Sequence, residues 1–132
     1  MAIVILCIDD DHTSLTVRQL LLSSAGYTAL LATNGETGLK LFNCNRVDLV
    51  ITDHWLPDRT GAQTTLRMKQ LKPEVPIVLL TGLAELPPGY DHADLLLTKC
   101  ITPEDFLAEI AHLLPTRRRE ESPRATAYAQ SR

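Results

Sequence analysis

Five short apolar runs divide the chain and predict buried strands. They occupy residues 3–8, 28–32, 48–52, 76–80 and 93–97. Nearly continuous apolar runs of this length are too short for helices and are typical of strands covered on both faces. Such strands belong to parallel sheets that carry helices on either side, so the pattern favours an α/β fold.

Between these runs, apolar residues recur at helical spacing. Helices are predicted at residues 13–25, in a short segment that opens at Asn34, at residues 61–71, and from Thr102 onward. Gly26 is a stop for the first helix, and Thr102 is a good N-cap because a proline follows it at the first helical position. The apolar faces predicted for three of these helices consist of Val17, Leu20, Leu21 and Ala25; Leu39 and Phe42; and Phe106, Leu107, Ile110, Leu113 and Leu114.

The alternation of strands and helices predicts a doubly wound, five-stranded parallel sheet. The connection between the last two strands is unusual. Residues 81–93 read TGLAELPPGYDHA and barely reach the dozen or so residues that a parallel crossover needs. The sequence Pro87-Pro88-Gly89 lies in the middle of this segment and excludes a long helix. The fourth helix is therefore expected to be shortened to one turn or to be irregular.

Composition narrows the class of protein. A chain of 132 residues with 45% hydrophobic and 22% charged residues is an ordinary globular domain. No apolar run approaches the roughly 20 residues that span a bilayer, and the N-terminus lacks signal-peptide features, so a cytoplasmic location without membrane contact is expected. Reduced, unpaired thiols are expected at Cys7, Cys44 and Cys100. The scattered histidines are expected on the surface or in loops: His12, His54, His92 and His112.

Charge is distributed unevenly along the chain. Residues 1–114 are expected to form the domain, and residues 115–132, which hold five Arg and two Glu, are expected to be a basic, flexible tail or linker. Because the net charge of the whole chain is −3, the body is more acidic than the whole. This charge argues against nucleic acid as a direct ligand.

Side chains that can carry chemistry stand where the predicted strands end. The first run leads into the acids at 9–11, the third into Asp53, the fourth into Thr81 and Gly82, and the fifth is soon followed by Lys99. The carboxyl ends of parallel strands meet at one edge, where ligands bind, so these groups are expected to converge. Clustered carboxylates without His or Cys favour Mg²⁺. A lysine and a hydroxyl would hold phosphoryl oxygens, and one carboxylate could act as the nucleophile.

This combination resembles the response-regulator receiver domain of two-component signalling over residues 2–114. The segment DHWLPDRTG places Leu56, Pro57 and Gly61 after Asp53 at the family's spacing. The resemblance implies a flavodoxin-like sheet with strand order 2-1-3-4-5. It also implies a regulatory phosphoacceptor domain rather than an enzyme, with self-phosphorylation and slow self-dephosphorylation as its only reactions.

The resemblance further implies a role for each site residue. Asp53 would accept the phosphoryl group, while Thr81, Gly82 and Lys99 would bind it. Asp11 would be a solvated neighbour or a helix N-cap. A sensor histidine kinase or histidine phosphotransfer protein would donate the group to a monomer or weak dimer, which would then act on an unknown downstream protein. The ligands implied for Mg²⁺ are Asp9, Asp10, Asp53 and the backbone carbonyl of Trp55.

The chain departs from the family pattern at several positions. Lys99 is followed by Cys100 instead of proline, and we expect a trans peptide bond there because a cis bond before a non-proline residue costs about 3 kcal/mol. Leu96 replaces the family's aromatic switch residue. In the family, the side chains two residues past the acceptor and two past the threonine flank the path of the hydrolytic water. The resemblance places Trp55 and Leu83 at these positions, where bulky side chains are expected to slow loss of the phosphoryl group, although Trp55 could equally serve only to cover apolar surface.

Two other functions stay open at this point. A receiver-like interaction module that no longer depends on phosphorylation would explain the departures from the pattern. A haloacid-dehalogenase-type phosphatase would use Asp9 as nucleophile and Asp11 as general acid, with Thr81 and Lys99 as phosphate holders. That enzyme needs a further acidic pair after the lysine strand and leaves Asp53 without a role.

Overall fold

Five parallel strands form a single sheet in the order β2-β1-β3-β4-β5, as predicted. The computed structural model describes residues 2–82 and 88–114. The strands are β1 (Val4–Ile8), β2 (Thr28–Ala32), β3 (Leu49–Asp53), β4 (Ile77–Thr81) and β5 (Leu95–Thr98). The helices within the described residues are α1 (His12–Ser24), α2 (Gly35–Cys44), α3 (Gly61–Leu71) and α4 (Pro103–Leu113), and a 3₁₀ turn lies at Tyr90–His92.

The register of the sheet brings the strand ends to one edge. Ile8 pairs with Thr52, and Asp53 pairs with Leu80, one residue before the end of β4. β1 lies between β2 and β3, so the order of the strands reverses at β1. In open α/β sheets this switch point is where the carboxyl ends of the strands leave a crevice for ligands.

Both faces of the sheet are buried, which explains the continuous apolar runs. Ile5 and Cys7 of β1 belong to the core cluster that includes the inward residues of α1 and α4. Leu6 and Ile8 point to the other face and belong to the cluster that includes Phe42 of α2 and Met68 of α3. These side chains are fully buried, and each of the Ile, Leu, Phe and Met side chains contributes on the order of 1.5–3 kcal/mol of hydrophobic stabilisation. The core thereby holds the end of β1 rigidly in place.

The face that α1 presents to the core differs from the prediction. Leu15 and Leu22 are buried, at a spacing of two helical turns, whereas Leu21 is only partly buried. The other residues predicted for the apolar face are exposed: Val17, Leu20 and Ala25. The apolar residues of LTVRQLLL are so numerous that spacing alone did not select the buried face.

The connection between β4 and β5 contains only a 3₁₀ turn within residues 88–94. Gly89, which precedes the turn, has φ 82°, a left-handed conformation that favours glycine. Residues 83–87, which include Leu83, lie outside the described residues, and so does the tail predicted at 115–132. Among the described helices, none has both the length and the apolar composition of a membrane span.

Candidate functional site at the carboxyl edge of the sheet

Three carboxylates meet at the switch point of the sheet. Asp9, Asp10 and Asp53 each offer an oxygen, and these oxygens lie within 4.8 Å of one another. Asp9 is completely buried and Asp53 is 3% exposed, whereas Asp10 is exposed. Two buried acids beside a third one repel each other and require positive charge.

The backbone after β1 fixes the position of Asp9. Its amide donates to the Ala32 carbonyl oxygen at 3.0 Å, and its Oδ1 accepts from the Asp11 amide at 2.9 Å. Asp11 is the N-cap of α1, one of the two roles expected for it, because its carboxylate accepts from the Thr13 amide and the Ser14 hydroxyl. The hydrogen bond from Ser14 is the main cause of the lowered pKa of Asp11.

Arg18 of α1 supplies one positive charge that the sequence analysis missed. Its Nη1 lies 2.9 Å from Asp9 Oδ2, and the two side chains are 11% and 1% exposed. Among the described residues, neither atom has a hydrogen-bond partner, so the contact is an ion pair without aligned hydrogen bonds. The sequence does contain a sign of this role, because Arg18 is three residues after Leu15 and four before Leu22 and so lies on the side of α1 that faces the core.

Lys99 supplies the second positive charge. Its Nζ lies 2.9 Å from Asp53 Oδ1, which also accepts from the His54 amide at 3.0 Å. Burial raises the pKa of Asp53, the hydrogen bond from Lys99 opposes this shift, and the charge of Asp9 adds to it. The site thus places a buried carboxylate against an ammonium group that is half exposed to solvent.

The ends of β4 and β5 position Lys99 and Thr81 together. The Lys99 amide donates to the Thr81 carbonyl oxygen at 2.9 Å, which continues the pairing of these strands. The Lys99–Cys100 peptide bond is trans as predicted, since residues 2–82 and 88–114 contain no cis peptide bond. Thr81 is 7% exposed, and its hydroxyl donates to the Gly82 carbonyl oxygen at 3.3 Å. Gly82 is exposed beside it.

The loop after Asp53 folds back on itself. The Gly61 amide donates to the His54 carbonyl oxygen at 2.5 Å, and Trp55 pairs with Thr60 in an antiparallel bridge. A Cβ atom at Gly61 would overlap the carbonyl oxygen of Asp53, so only glycine fits this close approach. The bridge fixes the backbone of Trp55, whose carbonyl is the expected metal ligand.

Asp58 ties the same loop to α2. Its two carboxylate oxygens accept from the amides of Gly35 and Glu36, each at 2.8 Å. Burial acts to raise the pKa of Asp58, but the two amide hydrogen bonds outweigh burial and the pKa is lowered. An acid from a distant loop thus satisfies the first amides of the helix, a contact that local sequence cannot reveal.

His54 lies in the loop that follows β3, which is one of the two places predicted for it, but it is not on the surface. His54 is 2% exposed, and its ring meets Trp55 edge-on with 4.6 Å between the ring centroids. Strand alternation turns its side chain away from the Asp53 carboxylate and under the loop. Burial lowers the pKa of His54, and the charge of Asp53 only partly opposes this. Trp55 itself is 66% exposed.

The donor set fits a hard divalent cation. The three acids offer oxygen ligands only, and Asp9 Oδ2, buried beside Arg18, has no hydrogen-bond partner in the described structure. Mg²⁺ takes one or two carboxylates together with water and phosphate oxygens. The residues present therefore suit Mg²⁺ better than a metal that prefers His or Cys.

Comparison with known proteins identifies the family. The sequence profile of the response regulator receiver domain matches residues 5–111. The chain belongs to this family. It is 36% identical over 78 residues to the autoinducer 1 sensor kinase/phosphatase LuxN of Vibrio campbellii, a match that covers 59% of this chain and 9% of LuxN. It is 32% identical over 117 residues to the alkaline phosphatase synthesis transcriptional regulatory protein PhoP of Bacillus subtilis, covering 83% of this chain and 48% of PhoP.

A solved structure supports the same assignment. The response regulator protein TrrA of Thermotoga maritima, in complex with Mg²⁺-BeF, superposes with a TM-score of 0.80 at 27% identity, covering 85% of this chain and 99% of that chain. The receiver is a phosphoacceptor signalling domain of the two-component type, regulatory rather than a classical enzyme. The comparisons do not favour the phosphorylation-independent alternative. The chain spans less than half the length of LuxN and of PhoP.

Proposed function

We propose that Asp53 accepts the phosphoryl group of a phosphohistidine, with Mg²⁺ held at the same edge of the sheet. The observation that carries this proposal is the pairing of a buried Asp53 carboxylate with Lys99 at 2.9 Å, within 4.8 Å of two further carboxylates. The proposed ligands of Mg²⁺ are Asp9, Asp10, Asp53 and the Trp55 carbonyl. When bound, the cation neutralises the carboxylates and the phosphoryl oxygens that approach them.

In the proposed reaction, a carboxylate oxygen of Asp53 attacks phosphorus, and the phosphorus–nitrogen bond of the donor breaks. The donor imidazole keeps the electron pair, and the new oxygen–phosphorus bond gives an aspartyl phosphate. Both described contacts to the carboxylate fall on Oδ1, so Oδ2 is the oxygen we assign as nucleophile.

The groups around Asp53 then hold the new charge. Lys99 transfers its contact from the carboxylate to a phosphoryl oxygen, and the Thr81 hydroxyl turns from the Gly82 carbonyl to another. The Gly82 amide is the third donor. This movement of Thr81 changes the affinity for a downstream protein by no more than the difference in phosphoryl contacts between the two states.

The finer features of this function follow the same reasoning. Self-phosphorylation from small phosphodonors needs only the groups named above. Self-dephosphorylation is slow because the indole of Trp55 cannot orient a water molecule. A histidine kinase or histidine phosphotransfer protein is the proposed donor. We further propose that residues 1–114 form a cytoplasmic receiver, monomeric or weakly dimeric, without direct nucleic acid contact, and that residues 115–132 form a basic, flexible tail or linker.

Mapping the phosphoryl label tests this proposal. The protein is phosphorylated by acetyl phosphate with Mg²⁺, the acyl phosphate is reduced with borohydride, and the modified residue is located by mass spectrometry. The label is expected on Asp53 and is expected to disappear in Asp53→Asn. Asp91→Asn, which changes an exposed acid in the 3₁₀ turn, is the matched control and should label like the wild type. A label on Asp9 would instead support the phosphatase alternative.

A further inference from the structure

Arg18 and Asp9 form a buried ion pair that the phosphoacceptor chemistry does not use. The Nη1–Oδ2 distance is 2.9 Å, and both side chains are largely withdrawn from solvent. Asp9 Oδ1 accepts a hydrogen bond from the Asp11 amide at 2.9 Å, whereas Oδ2 accepts none from the described residues. Oδ2 is therefore the more available Asp9 oxygen for a cation, and Arg18 lies against that same atom.

We propose that Arg18 is an internal counter-ion that competes with the divalent cation for Asp9 and thereby sets the cation affinity of the site. This inference rests on the proposed function, since it concerns the same carboxylates. Lys99 cannot take this part, because its contact is with Asp53 and its side chain is 42% exposed. Within residues 2–82 and 88–114, Arg18 is the cationic residue that forms a largely buried ion pair with Asp9.

The energetics favour competition over simple coexistence. The guanidinium group of Arg18 is positively charged, so it repels a divalent cation that approaches Asp9 Oδ2. Repulsion from a divalent cation is twice that from a monovalent ion at the same distance, and low exposure reduces screening by water. Binding of the cation at Asp9 Oδ2 thus requires Arg18 to give up its ion pair and move.

The structure offers Arg18 a place to move. A cavity of about 290 Å³ lies between α1 and α4 beside the site. Arg18 lines it together with the polar residues Thr13, Ser14 and Lys99 and with apolar residues that include Val17 and Phe106. Ser14 precedes Arg18 by one helical turn, so its hydroxyl oxygen lies on the same side of α1. A displaced guanidinium group can turn toward Thr13 and Ser14 without any change in the helix.

Cation titrations of matched variants test this inference. Mg²⁺ and Mn²⁺ alone are titrated into the full chain, and binding is followed by calorimetry and by the fluorescence of the single tryptophan, Trp55. Arg18→Met removes the charge and keeps a long apolar side chain, and we expect binding at least about tenfold tighter than wild type. Arg18→Lys keeps the charge and is expected to stay within about threefold of wild type. Arg67→Met changes an exposed arginine on α3 and is expected to have no effect.

Equal or weaker binding by Arg18→Met would overturn the role of Arg18 while leaving the proposed function intact. Absence of cation binding in both the wild type and Arg18→Met would instead remove the metal site and the proposed function together.

A measurement on the unmutated protein avoids any folding defect of the variants. In ¹⁵N-correlated NMR spectra, the Nε–H signal of Arg18 should shift with added Mg²⁺ in parallel with the Trp55 signals. An unchanged Arg18 signal at saturation would contradict displacement.

Discussion

Gly61 is the position where a single methyl group should disturb the acceptor loop most. In Gly61→Ala, the new Cβ would overlap the Asp53 carbonyl oxygen and would lie 2.8 Å from Leu79 Cδ1 and 2.9 Å from His54 Cα. A side chain such as Leu79 can yield, but the two backbone atoms belong to the strand end that carries the acceptor. Overpacking a rigid site costs about 1–3 kcal/mol, and a backbone obstruction places this substitution at the upper end, about 3 kcal/mol.

Urea unfolding followed by circular dichroism measures this cost. Alanine is a better helix former than glycine by up to about 1 kcal/mol, so the net loss is expected to be about 2–3 kcal/mol. Gly82→Ala is the matched control. No described atom lies within 4 Å of a Cβ at Gly82, and its free energy of unfolding should stay within about 0.5 kcal/mol of wild type. If Gly61→Ala were as stable as Gly82→Ala, the close approach between the loop and Asp53 would be refuted.

Three further predictions concern buried polar and reactive groups. Lys99→Met should reduce the rate of phosphorylation by acetyl phosphate at least about tenfold, because the phosphoryl group loses its ammonium partner, while cation binding is retained. Gel-shift assays of the acyl phosphate measure the extent of phosphorylation. Arg18→Ala should lower the free energy of unfolding by up to about 3–5 kcal/mol, since it leaves buried Asp9 unpaired, and added Mg²⁺ should raise the melting temperature of the variant more than that of wild type. Cys7 is fully buried and its pKa is raised to about 12 by that burial, so a thiol reagent should label the two exposed cysteines of the native protein and reach Cys7 only after unfolding.

Strand ends were the part of the site that sequence reasoning could locate. The apolar runs that stop at Asp9 and Asp53 indicate both the strands and the acids that follow them. A parallel strand buried on both faces is apolar along its length, so the first polar residue marks its end. The order of the strands came from the resemblance to a family. Periodicity alone does not determine which strands are neighbours.

Contacts between distant segments could not be predicted in the same way. The amides that Asp58 caps belong to α2, and nothing in the local sequence around Asp58 indicates this helix. His54 is buried because the loop closes over it through the bridge between Trp55 and Thr60. Spacing alone also did not determine which face of α1 packs on the sheet. The buried face contains Leu15 and Leu22, and Arg18 lies between them, paired with Asp9.

The proposed phosphoryl transfer requires a divalent cation among Asp9, Asp10 and Asp53. Crystals of the protein grown with Mn²⁺ and beryllofluoride would test this directly through anomalous diffraction at the manganese edge. We predict an anomalous peak within bonding distance of all three carboxylates, with the beryllofluoride group attached to Asp53 and contacted by Lys99. A manganese peak at some other place, with Asp53 unmodified, would contradict the account.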